Sequence, residues 1–214
     1  MPRAAGGDPL GAEIASQPDC WARALERAAE LGAALPDDGA RALAIGCGTS
    51  LHVARAYALL REGAGGGETD WAPASELPVR RAYDVVVAIS RSGTTTEIVR
   101  ALERVRARTR TVAIVADGAS PVAALVDDAV VLHFADEEAV VQTRFPTTVI
   151  CLLRRSLGED VGGLVDDGRP RRQPADPKSS AARRCISSSV SSSVRLLSIH
   201  CCPNGSRKRP PRSP

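Results

Sequence analysis

No lysine occurs before position 178, so Gly-Lys-Ser/Thr never appears and a nucleotide-binding P-loop is excluded. Aromatic residues are almost as scarce, with two Trp, two Tyr and two Phe in 214 residues. A core must therefore be built from Val, Leu, Ile and Ala, as in the buried strands of parallel sheets. No apolar run approaches the roughly 20 residues of a membrane span, and no basic-then-apolar signal opens the chain. The six cysteines, Cys20, Cys47, Cys151, Cys185, Cys201 and Cys202, contain no CxxC pair. They read as free thiols in a reducing compartment, and no His/Cys cluster has metal-ligand spacing. The expectation is a soluble cytoplasmic protein with no membrane partner, no metal and no cofactor.

Acidic residues are nearly missing from one end of the chain. Residues 1–168 hold 17 Arg against 24 Asp plus Glu, a balance of −7, whereas 169–214 hold nine Arg and two Lys against Asp176 alone, a balance of +10. The overall +3 averages two unlike pieces. An acidic body that binds an anion does so through local amides and hydroxyls rather than through its overall field. Beyond about Gly168 come Ser187-Ser188-Ser189, Ser191-Ser192-Ser193 and finally Arg207-Lys208-Arg209-Pro210-Pro211-Arg212. Such a composition cannot bury a core. The expected organisation is a flexible N-terminus at 1–12, one domain at 13–157 and an irregular basic tail at 158–214. The tail reads as altered-frame sequence joined to a truncated chain. A disordered linker has the same composition, as does a nucleic-acid-binding arm, and nucleic acid is a partner only if the tail is genuine.

What the body does contain is two glycine-and-hydroxyl turns, each following an apolar run. Ala42-Leu43-Ala44-Ile45 leads into Gly46-Cys47-Gly48-Thr49-Ser50, and Val85-Val86-Val87-Ala88-Ile89 leads into Ser90-Arg91-Ser92-Gly93-Thr94-Thr95. A strand that ends in small, donor-rich residues and then opens a helix makes an anion site, because free first-turn amides point outward beside the hydroxyls. Further short strands are expected at Thr69–Ala72, Thr111–Val115 and Val130–Phe134. Helices are expected at Cys20–Leu35, starting from Gln17-Pro18-Asp19, at Ser50–Arg61, at Thr95–Arg106, and over the apolar stretch Val140–Leu157. Ser120 is placed to cap a helix that has Pro121 in its first position. This alternation implies a parallel sheet covered on both faces, with ligands at the carboxyl ends of its strands.

These turns and their order resemble the SIS (sugar isomerase) family. Cys47-Gly48-Thr49-Ser50 is similar to the Cys-Gly-Thr-Ser of the isomerase part of glucosamine-fructose-6-phosphate aminotransferases, and Ser90-Arg91-Ser92-Gly93-Thr94-Thr95 to the family's Ser-x-Ser-Gly-x-Thr phosphate loop. Ala74-Ser75-Glu76-Leu77 resembles an Ala-Ser-Glu-Phe segment between them. Glu137 with Val140-Val141-Gln142-Thr143 resembles the Glu-x-x-Val-x-polar-Thr stretch after the last strand, and Ile14-Ala15-Ser16-Gln17-Pro18 the lead into the N-terminal helix. The resemblance implies a flavodoxin-like three-layer α/β sandwich with a five-stranded parallel sheet. It also implies a sugar phosphate or amino-sugar phosphate as ligand, with Ser90, Ser92 and Thr95 on the phosphate and Thr49 and Ser50 near the sugar. Cys47, Gly48, Arg91, Gly93, Glu137, Gln142 and Thr143 complete the candidate ligand-binding set, and the implied partner is a second copy of the chain.

Relatives of this type carry two such domains, with a ring-opening or Schiff-base lysine and acid-base groups in the second. The expectation is a chain without that second domain; residues 1–168 hold no lysine, and Pro2 stands where the aminotransferases' glutamine-hydrolysing module has its nucleophilic cysteine. No catalytic residue is therefore assigned. The alternatives to an aldose-ketose isomerase or amino-sugar phosphate deaminase are a non-catalytic sensor and an inactive fragment. For single residues the alternatives are equally open. Arg91 is a phosphate partner or a solvent-facing side chain. Glu137 orients or deprotonates a sugar hydroxyl, or belongs to a solvated acidic loop with Asp136 and Glu138. His52 reads as a surface or packing residue. Gly46-x-Gly48-x-x-Leu51 with Asp70 is an incomplete dinucleotide fingerprint.

Overall fold

A computed structural model of the chain describes residues 8–78 and 80–169. Five parallel strands form its centre: β1 (Ala42–Gly46), β2 (Thr69–Pro73), β3 (Val85–Ser90), β4 (Arg110–Val115) and β5 (Asp128–Val131), in the order β2-β1-β3-β4-β5. Every residue of β1 and β3 is buried, because these inner strands are covered above and below. Alternate side chains enter two separate cores. Ala42, Ala44, Val85, Val87, Ile89, Val112 and Ile114 face one side, and Leu43, Ile45, Val86, Ala88, Ala113 and Val115 the other.

The first core is closed by α1 (Pro9–Glu26), α2 (Ala28–Gly32), α3 (Thr49–Gly63) and α6 (Arg144–Ser156). The second is closed by α4 (Thr96–Val105) and α5 (Pro121–Leu125). Thus the helix that follows β1 and the helix that follows β3 cover opposite faces, and the chain changes side between these two neighbouring strands. This is the three-layer α/β sandwich with a five-stranded parallel sheet that the family resemblance implied, and the parallel sheet covered on both faces that the strand pattern implied. Ser120 caps α5 by accepting from the Ala123 amide, with Pro121 in the first helical position, as its sequence indicated. No helix among the described residues is long and apolar enough to cross a membrane.

Several boundaries differ from those expected. Pro18 does not start a helix but lies inside α1, which already begins at Pro9 within the segment expected to be flexible. The helix tolerates the lost amide because it is held from outside. Glu13, Pro18, Cys20 and Ala24 are buried, and the Trp21 Nε1 donates to Thr147 Oγ1 of α6 at 3.0 Å. The break comes at Arg27, which divides the expected single helix into α1 and α2. The last strand starts at Asp128 and stops at Val131, where its partner β4 also ends, and the chain then makes a 3-10 turn at His133–Ala135. Beyond Leu157, in the stretch expected to be irregular, α7 (Gly163–Gly168) lies on α1, with Gly168 so near Trp21 and Pro18 that a Cβ would not fit. The basic tail from 170 onward, and residues 1–7, lie outside the described residues.

Two buried charged groups fix the ends of the sheet. At the amino edge Arg61 is 1% exposed; its Nη1 donates to the Ala40 and Gly67 carbonyls and to Thr69 Oγ1, and its Nη2 to the Asp37 carbonyl at 2.6 Å. It joins α3 to both strands it connects. Near the carboxyl edge Glu137, 2% exposed, accepts from the amides of Thr143 at 2.8 Å, Arg144 at 2.9 Å and Phe145 at 3.1 Å. The carboxylate satisfies the opening amides of α6, so that helix begins at Arg144 rather than in the apolar run at Val140, which is fully in solvent.

Replacing Arg61 by Met leaves the buried Thr69 hydroxyl and three partly buried carbonyls without this donor and is expected to cost about 2–4 kcal/mol in urea unfolding. Glu137→Ala is expected to lower stability by about the same amount, about 2–4 kcal/mol, through loss of the helix cap. Unchanged stability in Glu137→Ala would mean that the carboxylate does not hold the helix.

Candidate functional site

The hydroxyl turns meet because β1 and β3 are adjacent and in register, with Gly46 opposite Ile89. Their helices leave toward opposite faces, so the two turns stand side by side at the carboxyl edge, the usual ligand position in such sheets.

In the first turn Gly46 runs directly under α3. A Cβ there would stand 2.5 Å from the Ser50 carbonyl carbon and 2.7 Å from the Leu51 amide nitrogen. Gly48, at φ +54°, precedes the helix and leaves its first turn without any side-chain cap. Thr49 is exposed and Ser50 buried. Cys47 is half-buried, and burial pushes its thiol above the ordinary range, with the Ala74 backbone opposing this in part. A protonated thiol is a poor nucleophile. His52 is exposed, as its surface reading anticipated.

The second turn is folded on its own hydroxyls. Ser90, buried at the end of β3, accepts from the Gly93 amide at 3.2 Å and lies 3.3 Å from Thr95 Oγ1. Ser92 Oγ accepts from the Thr94 amide and from Thr94 Oγ1, at 3.3 and 3.0 Å. Thr95 precedes α4 without capping it by its side chain, which leaves the helix's opening amides facing the turn. Gly93 has φ +62°, and a Cβ there would overlap Ser120. The turn is braced on the next one along the sheet, since the Gly93 carbonyl accepts from the Val122 amide and the Arg91 carbonyl from the Ala116 amide, both at 3.0 Å.

Arg91 does not point freely into solvent. Its guanidinium stands 3.5 Å from Asp136 and is mostly covered, with Nε buried and unpartnered among the described residues. This ion pair ties the phosphate-loop candidate to the 136–143 segment. Glu137 in that segment is not a solvated acid; its carboxylate is committed to the α6 amides. Gln142 is half-buried with Oε1 unpartnered among the described residues, and Thr143 gives its amide to Glu137. The two turns and the 136–143 segment are thus brought to one edge of the sheet. No three His, Cys, Asp or Glu side chains stand together for a metal among the described residues.

One participant was missed from sequence. Glu13, 5% exposed, reaches from α1 to accept from the Glu138 amide at 2.6 Å and the Ala139 amide at 3.3 Å, and its second oxygen is unpartnered among the described residues. Its spacing from Cys20 and Ala24 puts it on the buried helix face, a signal readable only once the helix is known to start before Pro18.

Comparison with solved structures gives the same fold. The C-terminal domain of glucosamine-fructose-6-phosphate aminotransferase from Francisella tularensis superposes with a TM-score of 0.58 at 19% identity, over 81% of this chain and 52% of that one. Tagatose-6-phosphate ketose/aldose isomerase from Escherichia coli gives 0.63 at 20% identity, over 77% and 53%. The chain therefore spans roughly half the length of that C-terminal domain and of the isomerase. A protein of E. coli CFT073 in complex with A5P gives 0.58 at 19% identity, over 76% of this chain and 92% of that one. No curated protein matches the chain. The SIS domain matches residues 37–153, more than half of the sequence, and the chain belongs to the SIS domain family.

Proposed function

We propose that this domain binds a phosphorylated sugar or amino-sugar phosphate between the two hydroxyl turns. The observation that carries the reading is the second turn. Ser90, Ser92 and Thr95 gather three hydroxyls around a backbone that only glycine permits at position 93, beside the uncapped amides of α4. A phosphate calls for several short donors in a small space. Thr49 and Ser50 then face the sugar from the first turn. Arg91 adds positive charge at the loop, and Gln142 offers a free amide oxygen to a sugar hydroxyl. The names of the aminotransferase and the ketose/aldose isomerase above support the same ligand class.

Binding is favoured over turnover. Isomerisation or deamination of a sugar phosphate moves protons between C1 and C2 of the opened sugar and calls for a free acid-base group. Glu137 is committed to a helix end and Asp136 to Arg91, and residues 1–168 hold no lysine. The second reading, a cytoplasmic sensor or regulatory module that uses the same cradle, rests on that commitment. The partner inferred from the resemblance is a second copy of the chain, and sedimentation velocity checks it: a dimer is expected, and a monomer at micromolar concentration would remove it.

Thermal unfolding with saturating fructose 6-phosphate or glucosamine 6-phosphate is expected to raise the midpoint, since a ligand of the folded state stabilises it. Ser92→Ala is expected to abolish the rise without shifting the ligand-free midpoint. A rise without conversion of the sugar, followed by NMR, identifies a sensor; conversion identifies an enzyme. Absence of any rise would overturn the reading for these two ligands.

A further inference from the structure

A second concavity lies at the opposite, amino edge of the sheet. The segment leading into β3 and the chain leaving α4 enclose about 440 Å³, floored by Leu43 of β1 and Val86 of β3. Leu77, Tyr83 and Val105 form its apolar wall, and Arg81, Arg104 and Arg108 its charged rim. Hollows of this size that combine apolar walls with placed polar groups are a usual form of small-molecule site, and here the two kinds of lining are about equal.

The arginines of the body are, for the most part, committed. Arg27, Arg41, Arg91, Arg110, Arg154 and Arg169 face carboxylates, Arg23 and Arg55 lie over the rings of Phe134 and Trp71, and Arg61 is locked on carbonyls. Arg80, Arg100, Arg104, Arg106, Arg108 and Arg155 have none of these partners among the described residues, and of the six Arg104 and Arg108 line this one hollow. The carboxyl end of α4 attracts cations by itself, and Arg104 and Arg108 are the two arginines there that stand beside the apolar wall.

That wall is held in place. Tyr83 donates its hydroxyl to Asp70 Oδ2 at 2.6 Å, and Arg81 Nη1 donates to the same oxygen at 2.5 Å. The carboxylate sits on edge strand β2, so it pins Arg81 and Tyr83 against the sheet. Arg81 is thereby used up as a brace, while the tyrosine ring remains part of the lining.

We infer that this hollow binds a small phosphorylated molecule with a flat, apolar body, of nucleoside monophosphate size, its phosphate on Arg104 and Arg108 and its ring against Tyr83, Leu77 and Val105. Guanidinium groups match phosphate oxygens in geometry as well as charge, and an aromatic wall suits a planar base. Ser90 closes β3 at the other end, so this site and the hydroxyl turns are separated by the length of a six-residue strand, roughly 20 Å. Occupancy of one does not require the other.

Isothermal titration of the full chain with AMP, adenosine and inorganic phosphate tests the assignment. AMP is expected to bind more tightly than either of its parts. Replacing both exposed arginines, Arg104→Gln with Arg108→Gln, is expected to weaken AMP binding by about tenfold or more. Val105→Trp, which fills the hollow, is expected to do the same, whereas Ser92→Ala leaves AMP binding unchanged. The assignment is overturned if AMP does not bind, if it binds no better than phosphate, or if its affinity survives loss of both arginines. Loss of AMP binding in Ser92→Ala would likewise overturn it, by moving the nucleotide to the hydroxyl turns.

Discussion

At the carboxyl edge of the sheet, backbones come too close to admit a Cβ. Gly46 passes beneath the Ser50–Leu51 peptide of α3, and Gly93 presses on Ser120. The second contact matters more widely, because Ser120 is also the cap of α5. Two neighbouring strand-to-helix turns are therefore settled together, and a third beside them is fixed on its own helix. The turn after β3 leans on the turn after β4 through the Val122 and Ala116 amides. A side chain at position 93 would push the hydroxyl turn away from α5 and separate the groups gathered at this edge. The geometry of the candidate site is thus a property of the edge as a whole and not of any one loop.

The poverty in aromatics and the layered fold belong together. Where the sheet meets its helices the side chains are often alanine: Ala42, Ala44, Ala88 and Ala113 on the strands, Ala24, Ala54 and Ala101 on the helices. Small side chains let helices lie close over the sheet, and the few large ones, Tyr57 and Phe145, fill the space on the face that carries four helices. Burial pushes the Tyr57 hydroxyl up to about 12, so the ring stays neutral and serves the core as an apolar plate. The other face, with α4 and the short α5, is thinner.

Much of this could be read in the chain before any coordinates. Val85–Ser90 was legible whole, because a central strand buried on both sides is a continuous apolar run, and its hydroxyl turn followed at once. Ser120-Pro121 announced a helix start through chemistry local to two residues. What could not be read depended on partners distant in sequence. Pro18 suggests a helix start, and only α6 packed against the other face lets α1 run through it. Glu137 looked like part of an acidic loop, since the amides it accepts from lie six to eight residues ahead in a segment whose helix starts late. Arg91 and Asp136 are 45 positions apart, and their pairing follows only from the order of the strands.

Arg61 illustrates a further property of such distant ties. Its charge persists at every pH a protein encounters, and its acceptors are carbonyls and a hydroxyl, none of which titrates there. The ion pairs among the described residues have a carboxylate on one side and lie mostly at the surface, open to acid and to screening by salt. The corner joining α3 to β1 and β2 has neither weakness. It is a charged joint that behaves toward its surroundings like a neutral one, and it fixes the edge of the sheet under conditions in which the ion pairs around it come and go.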